Sequence, residues 1–232
     1  MTVYRSIEKK VAGVASVIAE PSRAAMIAAL MDGRLHPASE LAYMAGIKPQ
    51  TASFHLAKMS ELKLVTMEKA GRHRYYKLNP DVAEVMESLL VISPPAEIKS
   101  FKHAAQTKAI KQARTCYDHF AGEFGVDLTD CLVTNGWILE GEKDFLLTKK
   151  GEECFYQVGI NISELRKKKR QFSRKCLDWS ERKYHLAGSL GKSLVMMFHE
   201  LKWIEPVKGS RAIKITNTGR KGLKDHFMFE LS

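Results

Sequence analysis

Cysteine is scarce, four residues in 232, and the positions 116, 131, 154 and 176 contain no Cys-x-x-Cys pair. Neither a zinc ribbon nor a disulfide framework is written in such spacing, and reduced thiols are expected. No apolar run approaches the roughly 18 residues that a membrane-spanning helix needs. The opening Met1-Thr2-Val3-Tyr4-Arg5-Ser6 leads into a charged stretch instead of a secretory apolar core, so a cytosolic chain with no membrane partner is expected. His-Glu-x-x-His, a nucleophile elbow and a phosphate-cradling glycine loop after a strand are all missing, which argues against an enzyme of those classes.

What the chain does have is positive charge. Lys plus Arg number 37 against 26 Asp plus Glu, a formal net charge of +11, and the pI is about 9.4. That excess points to a polyanionic partner. With 45% hydrophobic and 27% charged residues the composition is globular and allows one or two cores. Residues 1–90 carry 12 basic and 9 acidic side chains, and 91–232 carry 25 and 17, so both halves are basic. Between them Ile92-Ser93-Pro94-Pro95 removes backbone donors and pushes the chain out of helical geometry. The expected domains are 1–92, 96–160 and 161–232.

In the first domain Ile7, Val11, Val14 and Ile18 recur at helical spacing. A second helix opens at Pro21 and ends by Gly33, a third runs from about Ala38 to Met44, and Gly46 supplies a tight turn before a fourth, from about Pro49 to Glu61. Leu64–Glu68 and Arg72–Leu78 read as two strands joined at Ala70-Gly71. Four helices and a hairpin make a winged helix-turn-helix. On the fourth helix Ala52, Leu56, Met59 and Leu62 share one face, leaving Gln50, Thr51, Ser53, Phe54 and Lys58 turned outward. In a major groove, short polar side chains at its start reach base edges, while Lys48, Lys58 and the wing residues Arg72, His73 and Arg74 meet phosphate or minor groove. His55 joins this set of candidate DNA contacts, with half-buried packing as its other use. A winged helix used only for protein contacts is the alternative.

The runs Ser39-Glu40-Leu41-Ala42, Pro49-Gln50-Thr51-Ala52-Ser53-Phe54-His55-Leu56, Gly71-Arg72 and Tyr76-Lys77-Leu78 closely resemble the ArsR family of bacterial winged helix-turn-helix regulators. The match covers about residues 5–90. It implies a homodimer built on the first and last helices, about Ser6–Ile18 and Pro80–Leu90, that binds double-stranded DNA and represses promoters until an effector lowers its affinity. Where metal-sensing members carry paired cysteines on the third helix, this chain has Leu41, Ala42, Tyr43 and Met44, which argues against an arsenic or cadmium site there.

The second half repeats itself. His119, Ala121, Gly122, Gly125 and Leu128 recur 66 residues later as His185, Ala187, Gly188, Gly191 and Leu194, as do Trp137-Ile138 in Trp203-Ile204. Thr148, Gly151 and Phe155 match Thr216, Gly219 and Leu223 at 68. Each copy reads as a helix with small residues, a second short helix, a Trp-led hairpin and a closing helix, a winged-helix-like order. The fold class expected is therefore mainly α with small β-hairpins: an N-terminal winged helix-turn-helix followed by two tandem winged-helix-like repeats. Close helix approach through Gly122, Gly125, Gly188 and Gly191 is expected to pack the copies together.

Cys116-Tyr117-Asp118-His119 and Cys176-Leu177-Asp178-Trp179, with Arg182 and His185, supply a candidate ligand set: Cys116, Asp118, His119, Cys176, Asp178, Trp179, Arg182 and His185. Read on a helix, Cys116 and His119 share a face. The Cys-to-His spacing differs between the copies and no closed tetrahedral set is legible, so no metal and no cofactor is assigned; a small-molecule or redox effector and a thiol- or metal-responsive sensor stay open. The basic run Arg166–Arg170, with Arg174, Lys175, Arg182 and Lys183, reads as a solvated helix face, with auxiliary phosphate contact as the other use. This half also resembles the extension on a subset of ArsR-like regulators, around Cys116–Val126 and Cys176–Gly191, which names no ligand.

Overall fold

Pro21, Pro49 and Pro80 each open a helix, because a fixed φ suits the first turn, where no amide partner is required. The computed structural model describes residues 3–94 and 101–231. The chain begins with α1 (Val3–Ile18) and α2 (Pro21–Leu30), whose first amides are capped by the Glu20 carboxylate. A short strand β1 (His36–Pro37) leads to α3 (Ala38–Ala45), and Gly46, in the left-handed region at φ 66°, turns the chain toward α4 (Pro49–Glu61). Strands β2 (Val65–Ala70) and β3 (His73–Leu78) form the wing, and α5 (Pro80–Ile92) follows. The sheet order is β1-β3-β2, antiparallel throughout. Met26, Ile27, Leu30, Leu41, Leu56 and Met59 are fully buried and form the centre of this winged helix. The first strand escapes the sequence because two residues carry no alternation to read.

The chain divides into two compact units, Met1–Met86 and Glu87–Ser232, a division that falls within α5. Residues 95–100, where the second expected domain begins, lie outside the described residues.

In the second unit α6 (Phe101–Gln112) precedes two runs of the same element order. The first is β4 (Arg114–Cys116), β5 (His119–Ala121), α7 (Gly122–Thr134), β6 (Ile138–Glu140), β7 (Phe145–Leu147) and α8 (Lys149–Gln157). After α9 (Ile162–Arg166), the second is β8 (Lys175–Leu177), β9 (Tyr184–Leu186), α10 (Gly188–Glu200), β10 (Ile204–Pro206), β11 (Ile213–Ile215) and α11 (Asn217–Phe227). The molecule is thus helix-rich with small antiparallel strand pairs, a winged helix-turn-helix followed by a unit that runs twice through the order hairpin, helix, hairpin, helix.

Repeated residues do the same work in both copies. Thr148 Oγ1 accepts from the Gly151 amide at 2.9 Å, and Thr216 Oγ1 accepts from the Gly219 amide at 2.9 Å, each capping its closing helix. A Cβ on Gly151 would lie 2.0 Å from the Trp137 carbonyl oxygen, and one on Gly219 2.2 Å from that of Trp203, so only glycine lets the helix sit on the Trp-led hairpin. Both Trp residues join one apolar core with Phe120, Phe155, Phe198 and Phe227.

The copies pack differently from the expectation. A hairpin, β4–β5 or β8–β9, precedes the glycine-bearing helix, and a single continuous helix replaces the two expected. Three-residue strands leave too short an alternation to distinguish from a helix start. The glycines do not bring α7 to α10: a Cβ at Gly122 would meet the Lys111 carbonyl of α6 at 2.4 Å, and Gly191 is the one of the four that faces the other repeat, with His119 Cβ at 3.1 Å. A Cβ at Gly125 would meet Phe120 backbone at 2.6 Å, at Gly188 the Gln171 and Phe172 carbonyls at 2.7 Å, and at Gly191 the Leu186 carbonyl at 2.4 Å. Gly125 and Gly188 seat their helices on backbone of their own repeat or the segment before it. The copies interlock instead by exchange: α7 packs on β9 and α10 on β5. Reciprocal backbone bonds reinforce this, Phe145 amide to Ser173 carbonyl at 2.8 Å and Ile213 amide to Ala113 carbonyl at 3.0 Å.

Candidate functional sites: a polar helix face and a buried Cys and His cluster

On the winged helix, α4 presents Gln50, Thr51, Ser53, Phe54 and Lys58 to solvent, with Lys48 exposed at its N-terminal cap. Phe54 is 66% exposed and Tyr43, on α3, 82% exposed; so large an exposure for two aromatics on neighbouring helices marks a face built for contact. Tyr43 is not among the candidates read from the sequence, since an aromatic on a short amphipathic helix looks like core. Arg72, His73 and Arg74 are exposed at the wing tip, next to Gly71. The first amides of α4 have no side-chain cap, which leaves donors pointing outward at the positive end of the helix dipole.

His55 departs from the candidate set. It is buried, its Nδ1 lies 3.1 Å from Arg23 Nη1, and its Nε2 is 3.6 Å from Glu20. Its ring faces into the domain because it precedes Leu56 on the inner side of α4, and Arg23 uses its other donors on the Val17 and Ser16 carbonyls. The residue ties α4 to α2 and is withdrawn from the DNA-contacting set.

A second feature of the winged helix escapes the sequence reading. His36, buried at the sheet edge, lies 2.9 Å from Asp32 through Nε2 and 3.0 Å from Glu40 through Nδ1. The hydrogen bond to Asp32 raises the His36 pKa above its ordinary value, although burial opposes it. Burial would raise Asp32, but His36 and the Arg34 amide outweigh it and hold the carboxyl below its usual range. The acid-x-x-x-His-x-x-x-acid spacing is the signal that could have found it.

In the second unit the eight candidate ligand residues separate. Cys116, His119, Cys176 and His185 converge, with one donor atom from each lying within 4.8 Å of all the others. The sequence shows no closed set of four, and the fold builds one. Cys116 and His119 do not share a helix face; they are cross-strand partners in the β4–β5 hairpin, as Cys176 and His185 are in β8–β9. Pairing across a hairpin cancels the spacing difference, because the extra residues of the second copy form the loop that joins the two strands beyond the paired positions. The two sulfurs are 4.0 Å apart and the two Nε2 atoms 3.2 Å apart.

Asp118 and Asp178 stand behind the histidines. His119 Nδ1 is 3.5 Å from Asp118, and His185 Nδ1 is 3.2 Å from Asp178 Oδ2, though off the line of an ideal hydrogen bond. Each carboxylate has a guanidinium of its own: Arg170 with Asp118, and Arg114 with Asp178 at 2.8 Å through both oxygens. Burial would raise both carboxyls, but the facing histidine and arginine outweigh it and hold them well below the carboxylate range. The Cys116 thiol is pushed up by its contact with Cys176 and by burial. Burial would lower His119, but the Cys116 sulfur and Asp118 carry it up to about 9.

Trp179 and Arg182 stand apart from the four. The Arg114 guanidinium lies 4.6 Å from the centre of the Trp179 ring, which makes Trp179 a cover over the ion pair. Arg182 is exposed and donates to the Val91 carbonyl. Arg114 is the residue the sequence conceals: one Arg among many has no signature until its partner, 64 residues on, is known. The basic run is dispersed over a helix end and a loop, with Lys167 on Glu164 at 2.6 Å, Lys175 on Glu140 at 2.8 Å and Arg166 over the Phe172 ring. Among the described residues no single helix is long and apolar enough to cross a membrane.

Residues 18–68 match the family model of a helix-turn-helix domain. The HTH-type transcriptional regulator YdfF of Bacillus subtilis (strain 168) is 48% identical over 217 residues, spanning 93% of this chain and 96% of that protein. Among solved structures, NolR from Sinorhizobium fredii is 23% identical with a TM-score of 0.37, covering 41% of this chain and 97% of its own. HlyU from Vibrio cholerae N16961 is 23% identical with a TM-score of 0.33, covering 35% of this chain and 89% of its own.

Proposed function

The chain belongs to the HTH-type transcriptional regulators, DNA-binding proteins, and from that premise we propose that it is a homodimeric repressor of the ArsR kind whose α4 reads an operator in the major groove. One observation carries the reading: the exposed polar start of α4, set behind the Gly46 turn and flanked by the basic wing. Gln50, Thr51 and Ser53 are the base-reading candidates, and Lys48, Lys58, Arg72, His73 and Arg74 the phosphate and minor-groove contacts. Its role is regulatory, not catalytic, and its place of work is the bacterial cytoplasm, where the DNA lies.

Dimerisation through α1 and α5 is supported by apolar side chains left in solvent there. Ile7 and Val11 on α1, and Val85, Leu89 and Ile92 on α5, are all exposed in the single chain. A second copy packed on these helices would take such side chains out of water. We take 1–92 as the DNA-binding and dimerising part, and 96–160 and 161–232 as a duplicated extension.

The test is binding of the full chain to duplexes selected from a random-sequence library, with sedimentation to fix its state. A dimer on partly palindromic sites, with half-sites about one helical turn apart, supports the reading. A monomer, or equal affinity for selected and random duplexes, overturns it.

A further inference from the structure

We propose that Cys116, His119, Cys176 and His185 form a tetrahedral zinc site that clasps the two repeats of the second unit together. Each repeat supplies one Cys–His pair from its own hairpin, so one ion would join β4–β5 to β8–β9.

Geometry is the first reason. With Zn–S of about 2.3 Å and Zn–N of about 2.0 Å, a regular tetrahedron has edges of about 3.8 Å between sulfurs and about 3.3 Å between nitrogens. The sulfurs here are 4.0 Å apart and the nitrogens 3.2 Å apart. Donors all within 4.8 Å of one another fit one ion and are too tight for a two-iron cluster, whose cysteines and histidines sit on different irons. Two sulfurs and two imidazoles are a set that suits zinc.

The ring orientations are the second. The Asp118 and Asp178 oxygens face the two Nδ1 atoms, which turns the Nε2 atoms of both rings toward each other at 3.2 Å, so that an ion placed there meets one Nε2 from each histidine.

Charge is the third. Zinc with two thiolates and two neutral imidazoles is a neutral centre, formed as the donor groups give up their protons to solvent. The carboxylates behind it are already balanced by Arg114 and Arg170, so the buried site is left with no uncompensated charge. With four protein donors and Cys116, His119 and His185 buried, the site is closed, which is the mark of a structural ion.

The experiment uses the full chain, stripped with a chelator under reducing conditions and titrated with Co2+ as a spectroscopic probe. Expected are visible d–d bands of tetrahedral cobalt and a sulfur-to-cobalt charge-transfer band, saturating at one ion per chain and erased by one equivalent of Zn2+. Zn2+ uptake should release protons and raise the Tm by several degrees. Cys116→Ser and His185→Gln should abolish the spectrum, while Cys131→Ser and Cys154→Ser keep it. Cys176→His, which retains four donors, should keep one bound ion with about half the charge-transfer intensity. The proposal is overturned if the parent shows no cobalt bands at one equivalent, if Cys131→Ser or Cys154→Ser loses them, or if the reduced protein gains no thermal stability from Zn2+. Recovery of a Cys116–Cys176 disulfide with no metal uptake after reduction likewise overturns it. None of these readouts involves DNA, so failure here and failure of the operator-reading function are distinguishable.

Discussion

Arg114 and Asp178 form an ion pair with neither side chain exposed, both carboxylate oxygens at 2.8 Å from one guanidinium nitrogen. The pair joins the first strand of one repeat to the loop after the first strand of the other, and Asp178 also accepts from the Gly122 amide at 2.7 Å. Removing either partner strands the other charge where water cannot reach it. Arg114→Met is therefore expected to lower stability by about 3–5 kcal/mol, and Asp178→Leu by a similar amount. Denaturant unfolding of the second unit's tryptophan fluorescence measures both. The double variant Arg114→Met with Asp178→Leu should recover much of the loss, because no unpaired charge remains; full additivity of the two single effects would refute the pairing.

The His36–Asp32 pair makes the winged helix sensitive to pH. A His36 pKa raised above 6.5 contributes stability that is fully present below 6.5 and is lost as pH rises through the higher folded value. An Asp32 pKa lowered below 3.8 contributes stability present above 3.8 and lost as pH falls through the lower folded value. The pair thus favours folding most between those two ordinary values. Melting temperatures of the parent and of His36→Gln, measured from pH 4 to 9, should differ most below 6.5 and converge at the alkaline end. A constant gap across the range would dissociate the pair from stability.

The two parts of the DNA face should fail differently. Replacing Arg72 and Arg74 by Ala should weaken binding to every sequence and reduce the slope of log affinity against log salt by about one for each phosphate left without its arginine. Gln50→Ala or Ser53→Ala should cost about 1–3 kcal/mol on selected duplexes and little on random ones. Anisotropy titrations at several salt concentrations separate the two patterns, and equal losses on both kinds of duplex for the helix variants would remove α4 from base readout. His55→Gln should alter folding stability instead of sequence preference, because its ring is engaged with Arg23.

Glycines that look alike in the sequence should respond in opposite directions. Gly151→Ala drives a methyl to 2.0 Å from the Trp137 carbonyl oxygen and should cost about 1–3 kcal/mol as the closing helix is pushed off its hairpin. Gly13→Ala, on α1 with no atom within 4 Å of the added carbon, should stabilise by up to about 1 kcal/mol. Thermal unfolding of both variants checks the contrast, and a Gly151→Ala protein as stable as the parent would refute the close approach.

Local rules carried the winged helix. Pro49 opening α4, Gly46 turning the chain and Gly71 at the wing tip are decided within a few residues of themselves, so the sequence by itself determined the helix-turn-helix and its polar face, and showed which residues recur along the second half. The repeated Thr-x-x-Gly was legible for the same reason, since cap and glycine lie three residues apart. What only the tertiary structure decided involves partners far along the chain. Arg114 meets Asp178, Phe145 meets Ser173, and Cys116 meets Cys176 because the two copies exchange packing surfaces, and no local spacing records that exchange. His55 and the four-residue cluster show the two sides of this. A histidine on a polar helix was drawn inward by Arg23, and two unequal Cys–His spacings became equivalent once each pair lay across its own hairpin. Short-range preferences fix φ, ψ and caps, whereas which distant side chains meet is set by how the buried apolar faces fit together, a property of the assembled core and of no single stretch of sequence.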